Sequence, residues 1–77
     1  MKLYTLDKLA MNHIAKIEAL NCSGDIRRRL LDLGIVKNTT IEPILQSPSG
    51  DPRAFRVRGS TIALRKEDAQ NILINIF

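Results

Sequence analysis

Only one stretch of this chain repeats with the period of a helix, and it is short. Between Ser23 and Leu33, the residues Ile26, Leu30 and Leu33 recur at spacings of four and three, which makes one narrow apolar stripe. Gly34 follows directly, where a residue with positive φ ends a helix, and Ile35 stands where a Schellman motif would bring it against Leu30. The pattern predicts one helix over about residues 24–33, with Ser23 or Asp25 capping its free N–H groups. With a single helix in 77 residues, the rest of the fold has to come from strands.

The rest reads that way. "KLYTLDKLAMN" is apolar but irregular, an extended lead-in. In "HIAKIEAL", Ala15, Ile17 and Ala19 alternate with Ile14, Lys16 and Glu18, the period of a strand. Lys37-Asn38 suits a turn, because Asn tolerates positive φ. "TTIEPILQ" is a strand that Pro43 forces to an edge or a bulge. "SPSGDP" is a loop, and "RAFRVR" points Phe55 and Val57 one way and Arg56 and Arg58 the other. Gly59-Ser60 suits a two-residue hairpin into "TIALR". A short helical turn near residues 66–71 and a last strand, "ILINIF", complete the chain. Short strands, frequent turns and one helix predict a mainly β fold, a small barrel whose closure removes most free edges.

A chain this small buries only about 60% of its unfolded surface, so stability should be a few kcal/mol. Aromatics are scarce: Tyr4, Phe55 and Phe77, with no Trp. The core must therefore be Leu, Ile and Val. One cysteine, Cys22, rules out an internal disulfide and favours a reducing compartment. There is no signal-peptide run at the start and no apolar stretch near the ~18 residues of a membrane span, so the expected location is the cytoplasm.

Little in the sequence supports an enzyme. His13 is the only histidine, no Ser or Cys lies in a nucleophile signature, and "GSTIALRK" lacks the order of a phosphate-binding loop. Glu67-Asp68 stands where acids serve a helix dipole. A transition-metal site needs three or four clustered ligands, and the only candidates, His13 and Cys22, are nine residues apart, so neither a metal nor another cofactor is expected. Too few aromatics remain for a base-stacking platform, which argues against nucleic acid.

The arginines are left. The net charge of +4 comes from 12 Lys and Arg against 8 acids, and Arg rather than Lys leads among the cations. Arg27, Arg28 and Arg29 stand early in the predicted helix, where its dipole disfavours each exposed cation by about a few tenths of a kcal/mol. Ideal spacing puts Arg28 opposite the apolar stripe and beside Asp32. One reading is a solvated face. The other is a patch for an acidic partner, made of Arg27, Arg28 and Arg29 and joined by Arg56 and Arg58 if the fold brings them near.

"RRRLLDLGIVKNT", "SPSGDP" and "ALRKEDAQNILI", in this order and at this spacing, resemble the FeoA family, small cytosolic proteins of bacterial ferrous iron uptake. The resemblance runs from Leu3 to Ile74. Its arginine-leucine run falls on Arg28, Arg29 and Leu30, its helix-ending glycine on Gly34, its loop on Pro48, Gly50, Asp51 and Pro52, and its leucine-arginine pair on Leu64 and Arg65. It implies one FeoA-like domain over residues 1–77, folded as an SH3-like barrel with an inserted helix. It also implies no catalysis, and a partner: the cytosolic part of FeoB, a membrane GTPase and ferrous iron transporter that the chain would support or regulate without entering the membrane. A divalent-metal-responsive module like the SH3-like domain of iron-dependent repressors is the alternative. Two positions depart from the family pattern. Lys37-Asn38 replaces its usual Pro-Gly, and residues 9–12 lack the glycine it carries before the first long strand.

Overall fold

A computed structural model describes residues 2–76; Phe77 of the last predicted strand lies outside them. Six strands form one antiparallel sheet in the order β1 (Lys2–Thr5), β6 (Ile72–Ile76), β2 (Ala15–Leu20), β3 (Thr40–Gln46), β4 (Arg53–Val57), β5 (Ser60–Leu64). Between them lie helix α1 (Gly24–Asp32), the four-residue α2 (Lys66–Ala69) and a 3-10 turn over Leu6–Lys8. The mainly β fold with one inserted helix is as expected. The lead-in is more regular than its sequence suggests: Lys2–Thr5 is a strand because it pairs with Ile76–Leu73 of β6, a partner remote in sequence.

The core is aliphatic around one ring. Phe55, Ile17, Leu30, Ile35, Ile41, Ile72 and Ile74 are all essentially sealed from solvent. Alternation delivers them: Ala15 and Ile17 from β2, Phe55 and Val57 from β4, Ile62 and Leu64 from β5, Ile72 and Ile74 from β6. Pro43 does make a bulge, and the β3–β4 register slips between Pro43 and Leu45.

Helix α1 ends as predicted. Gly34 has φ +82°, Ile35 N–H donates to Leu30 O at 3.0 Å, and Gly34 N–H donates to Leu31 O at 2.9 Å. Those two bonds are the Schellman pair, and Leu30 and Ile35 are both buried. The stripe itself is narrower than its spacing promised. Leu33 is the C-cap and 41% exposed, Ile26 is half-buried, and only Leu30 is buried. The helix stops before a third turn could bring Leu33 over the sheet. Ser23 is the N-cap residue, yet its hydroxyl bonds no helix N–H.

Both departures from the family pattern resolve the same way. Asn38 has φ +74° and Asn12 has φ +65°, so asparagine takes the left-handed conformation at each place. The hairpin between β4 and β5 differs from its reading by one residue. Val57 pairs with Ser60, so the turn is Arg58-Gly59, with φ +50° and +77°. Two successive positive φ values are what a type I′ hairpin demands, and Gly59 serves as its second residue.

β1 and β5 are the two edges of the sheet. A side chain spans the gap near them. Arg53 of β4 donates to Leu9 O at 2.7 Å, Leu6 O at 3.0 Å and Asp7 O at 3.1 Å, holding the 3-10 turn and the residue after it against the sheet. Its guanidinium also lies 5.1 Å from the Phe55 ring centroid.

Candidate partner-binding surface

The five arginines proposed for a partner do not form one cluster. Gly24 opens α1, so Arg27 stands a full turn inside it, and Arg29 already belongs to the last turn of this nine-residue helix. A cation there is favoured by the dipole, so most of the expected cost disappears. Arg27 is used internally: its Nη1 donates to Leu20 O at 2.9 Å, across the end of β2. Arg28 and Arg29 are exposed and make no hydrogen bond or ion pair among the described residues. The Arg28–Asp32 pair suggested by their spacing is therefore not formed; both side chains line one shallow hollow with Asp25 and Leu31.

The other two arginines line one hollow with Ile14, Glu42 and Gly59, apart from the helix arginines, but make different contacts. Arg56, on the outer face of β4, approaches Glu42 of β3 at 3.6 Å, a largely exposed pair worth at most ~1 kcal/mol. Arg58 reaches from the hairpin tip to the end of α1. A Cβ on Gly34 would lie 2.9 Å from Arg58 Nε and 3.1 Å from its Cδ. The missing side chain at Gly34 thus serves twice, for the positive φ and for the passage of Arg58 beside the helix C-terminus. Arg58 passes beside the helix end, while Arg56, in the same hollow, is paired with Glu42 of β3.

Beside Arg27 lies an apolar hollow of about 290 Å³, lined by Ala19, Leu20, Leu31 and Val36, with Lys37 and Glu18 at its rim. Leu31 and Val36 are 42% and 48% exposed, and Lys37 is bound to Glu18 at 3.1 Å. This is the apolar component of the α1 surface, and the helical spacing did not point to it because Leu31 lies off the stripe.

Sequence reading missed a second constellation. Asp7, Asp51, Arg53 and Lys66 line a recess of about 200 Å³ over Phe55 and Leu64. Asp51 Oδ1 accepts the Lys66 N–H at 2.9 Å, so the loop supplies the cap that α2 lacks locally. That bond is a physical reason for the loop and the "ALRKEDA" segment to occur together. Burial pulls the Arg53 pKa below its ordinary value, and the Asp7 carboxylate pushes it back up. Asp7 Oδ1 is sealed from solvent with no donor of its own among the described residues. Every link here spans 15 or more residues, beyond any local pattern.

The proposed metal candidates do not meet. His13 precedes β2 and is exposed, with Nδ1 3.1 Å from Met11 O, whereas Cys22 follows the same strand and is buried. Among the described residues no three His, Cys, Asp or Glu side chains gather as a metal site would require. Nor is any described helix long and apolar enough to cross a membrane.

This arrangement of strands and helix has close counterparts. The profile of the FeoA domain matches residues 4–76. A fusion of Fe(2+) transport protein A with the Fe(2+) transporter FeoB in Porphyromonas gingivalis is 31% identical over 71 residues. Those residues are 92% of this chain but only 8% of that protein, so the chain spans a small part of its curated relative. A FeoA-like protein from Clostridium acetobutylicum superposes with a TM-score of 0.86 at 32% identity, covering all of this chain and 90% of the other. FeoA of Stenotrophomonas maltophilia, a procaryotic SH3 domain protein crystallised with zinc, gives 0.83 at 28% identity over 94% of this chain and 89% of the other. A manganese-dependent transcriptional repressor shares the fold alone, at 12% identity and a TM-score of 0.83, with 97% of this chain on 42% of that one. The chain belongs to the FeoA family, whose setting is ferrous iron transport, and its fold is the SH3-like barrel of that family.

Proposed function

We propose that this chain is a non-catalytic accessory protein of ferrous iron uptake that acts by binding the cytosolic part of a FeoB-type transporter. The observation that carries this reading is the Porphyromonas gingivalis relative, in which the matching domain and the transporter are one polypeptide. A tether holds two modules at an effective concentration on the order of millimolar, which suits two modules that work in contact. The reading places the protein in the cytoplasm, without nucleic acid and without nucleotide hydrolysis of its own. The exposed α1 surface, with Arg28, Arg29 and the apolar hollow at Leu31 and Val36, is one part of the contact. Arg56 is a second, and Arg27 and Arg58 contribute from positions fixed by internal contacts.

Binding of the purified chain to the transporter's cytosolic part, together with ferrous uptake in cells, tests this. Arg28→Glu should stay folded yet weaken binding by roughly 1–3 kcal/mol, since a desolvated Arg is a common interface anchor. Full binding and full uptake by folded Arg28→Glu, Arg29→Glu and Arg56→Glu would reduce the arginines to a solvated face.

The zinc in the Stenotrophomonas maltophilia crystal favours a second reading, a module that responds to a divalent transition metal. His13 and Cys22 do not fit such a site within one chain, so it would have to be shared between chains. Calorimetry with zinc or ferrous ion separates the two. Affinity no tighter than about tens of micromolar favours the accessory protein, and one submicromolar site lost in His13→Ala or Cys22→Ser favours the sensor.

A further inference from the structure

The positive charge of this chain is concentrated in one hairpin. From Arg53 to Lys66 there are five cations and no acid, while the remaining residues hold seven cations against eight acids. That hairpin includes β5, which has β4 on one side and no strand on the other. A two-residue turn makes Val57–Ser60 a hydrogen-bonded pair, and ladder alternation then makes Phe55–Ile62 and Arg53–Leu64 bonded pairs as well. Thr61 and Ala63 therefore direct their N–H and C=O groups outward, and nothing among the described residues accepts or donates to them there.

Natural sheets blunt such an edge with a charge, a proline or a bulge. Ser60–Leu64 has none of these. On the outer face, Leu45, Ala54 and Ala63 stand in one row that runs to the edge, and Leu45 is 65% exposed. The two alanines leave a shallow lane of about 330 Å³ beside Pro52, room for a larger apolar side chain on an added strand. Arg65 and Lys66 follow β5 directly, both exposed.

We infer that the free edge of β5 is a strand-addition site for an extended partner segment, apolar beside Ala63 and acidic beside Arg65 and Lys66. Main-chain bonds at Thr61 and Ala63 supply attachment, and the side-chain row and the cations supply selectivity. A second copy of this chain fits poorly. Its own edge strand, Ser60–Leu64, carries no acid to meet Arg65 and Lys66 of the other copy. The inference deepens the accessory-protein reading and rests on it only for the identity of the partner.

Two probes test it with ¹⁵N-labelled protein: the transporter's cytosolic part, and a synthetic octapeptide of alternating Thr and Val whose N-terminal end is two Asp, which antiparallel addition sets beside Arg65 and Lys66, with a control that has Lys at that end. Either probe should shift the Thr61 and Ala63 amides and slow their hydrogen exchange at least about tenfold, and the Lys control should not. Thr61→Pro removes one outward N–H and no bond to β4, and edge positions of this kind tolerate proline. It should keep the wild-type circular dichroism and lose binding about tenfold or more, while Ala63→Lys, which keeps the amide, should lose less. Transporter binding that leaves both amides unmoved overturns the edge site alone. Peptide shifts at Thr61 and Ala63 without transporter binding support the edge and overturn the transporter as partner. If neither probe moves these amides, or if Thr61→Pro abolishes a wild-type dimer in sedimentation, the proposal fails.

Discussion

Helix α1 and the β4–β5 hairpin carry six of the seven arginines, and they hold them in opposite ways. The helix mixes Arg27, Arg28 and Arg29 with Asp25 and Asp32, and it is tied to the core by one fully buried side chain, Leu30. The hairpin has no acid, yet it is stitched to its neighbours by an unbroken β4–β5 register and by Arg53. Charge is locally balanced where the attachment is light and unbalanced where it is firm. The lesson is that a run of arginines in sequence does not identify the basic face: Arg53, Arg56, Arg58, Arg65 and Lys66, mostly spaced apart along one hairpin, carry the excess.

The largest test of this contrast is the helix's single anchor. Leu30→Ala should cost roughly 2–5 kcal/mol, enough to unfold so small a domain, and denaturant melts will read it. If the protein stays folded with little loss, α1 is held by more than this residue. On the hairpin side, Arg53→Met keeps the apolar stem but leaves three backbone carbonyls without their donor. A loss of about 2–3 kcal/mol is expected, partly restored in Arg53→Lys.

The link between the two regions comes next. Gly34→Ala should cost about 1 kcal/mol or more, because alanine resists positive φ and meets Arg58. Adding Arg58→Ala should return part of that cost but not the backbone share, so a double-mutant cycle separates the two causes. The smallest effects lie outside both regions. Asn12→Gly and Asn38→Gly should be neutral or stabilising by about a few tenths of a kcal/mol, whereas alanine at either place should destabilise.

Local signals were enough for the helix, its Schellman ending, the Asn38 turn, the Pro43 bulge and the alternation around Phe55 and Val57. Each depends on residues a few positions apart. The misses have a common cause. Leu33 looks buried by spacing, but it is the C-cap residue, where the chain already turns off the helix before Gly34. The hairpin slipped by one because Gly59-Ser60 is the commoner turn pair, while the chain places Arg58 at positive φ. Ser23 has the right residue type for a cap but not the bond. Of the candidate contact residues, Arg28, Arg29 and Arg56 are placed outward as expected. The internal bonds of Arg27, the reach of Arg58 to Gly34 and the whole Asp51–Lys66 connection depend on tertiary neighbours, which no periodicity encodes.

Arg53 also has a consequence in time. Its three carbonyl partners lie 44 to 47 residues earlier in the chain, among the longest separations any single side chain here has to close. Contacts that enclose such loops lose much chain entropy before they return any binding energy, and they tend to form after the crossing of the folding barrier. Weakening Arg53 should then leave the refolding rate almost unchanged and steepen the escape from the native state. The arginine would set how long a folded molecule lasts, and the strands alone how fast it appears.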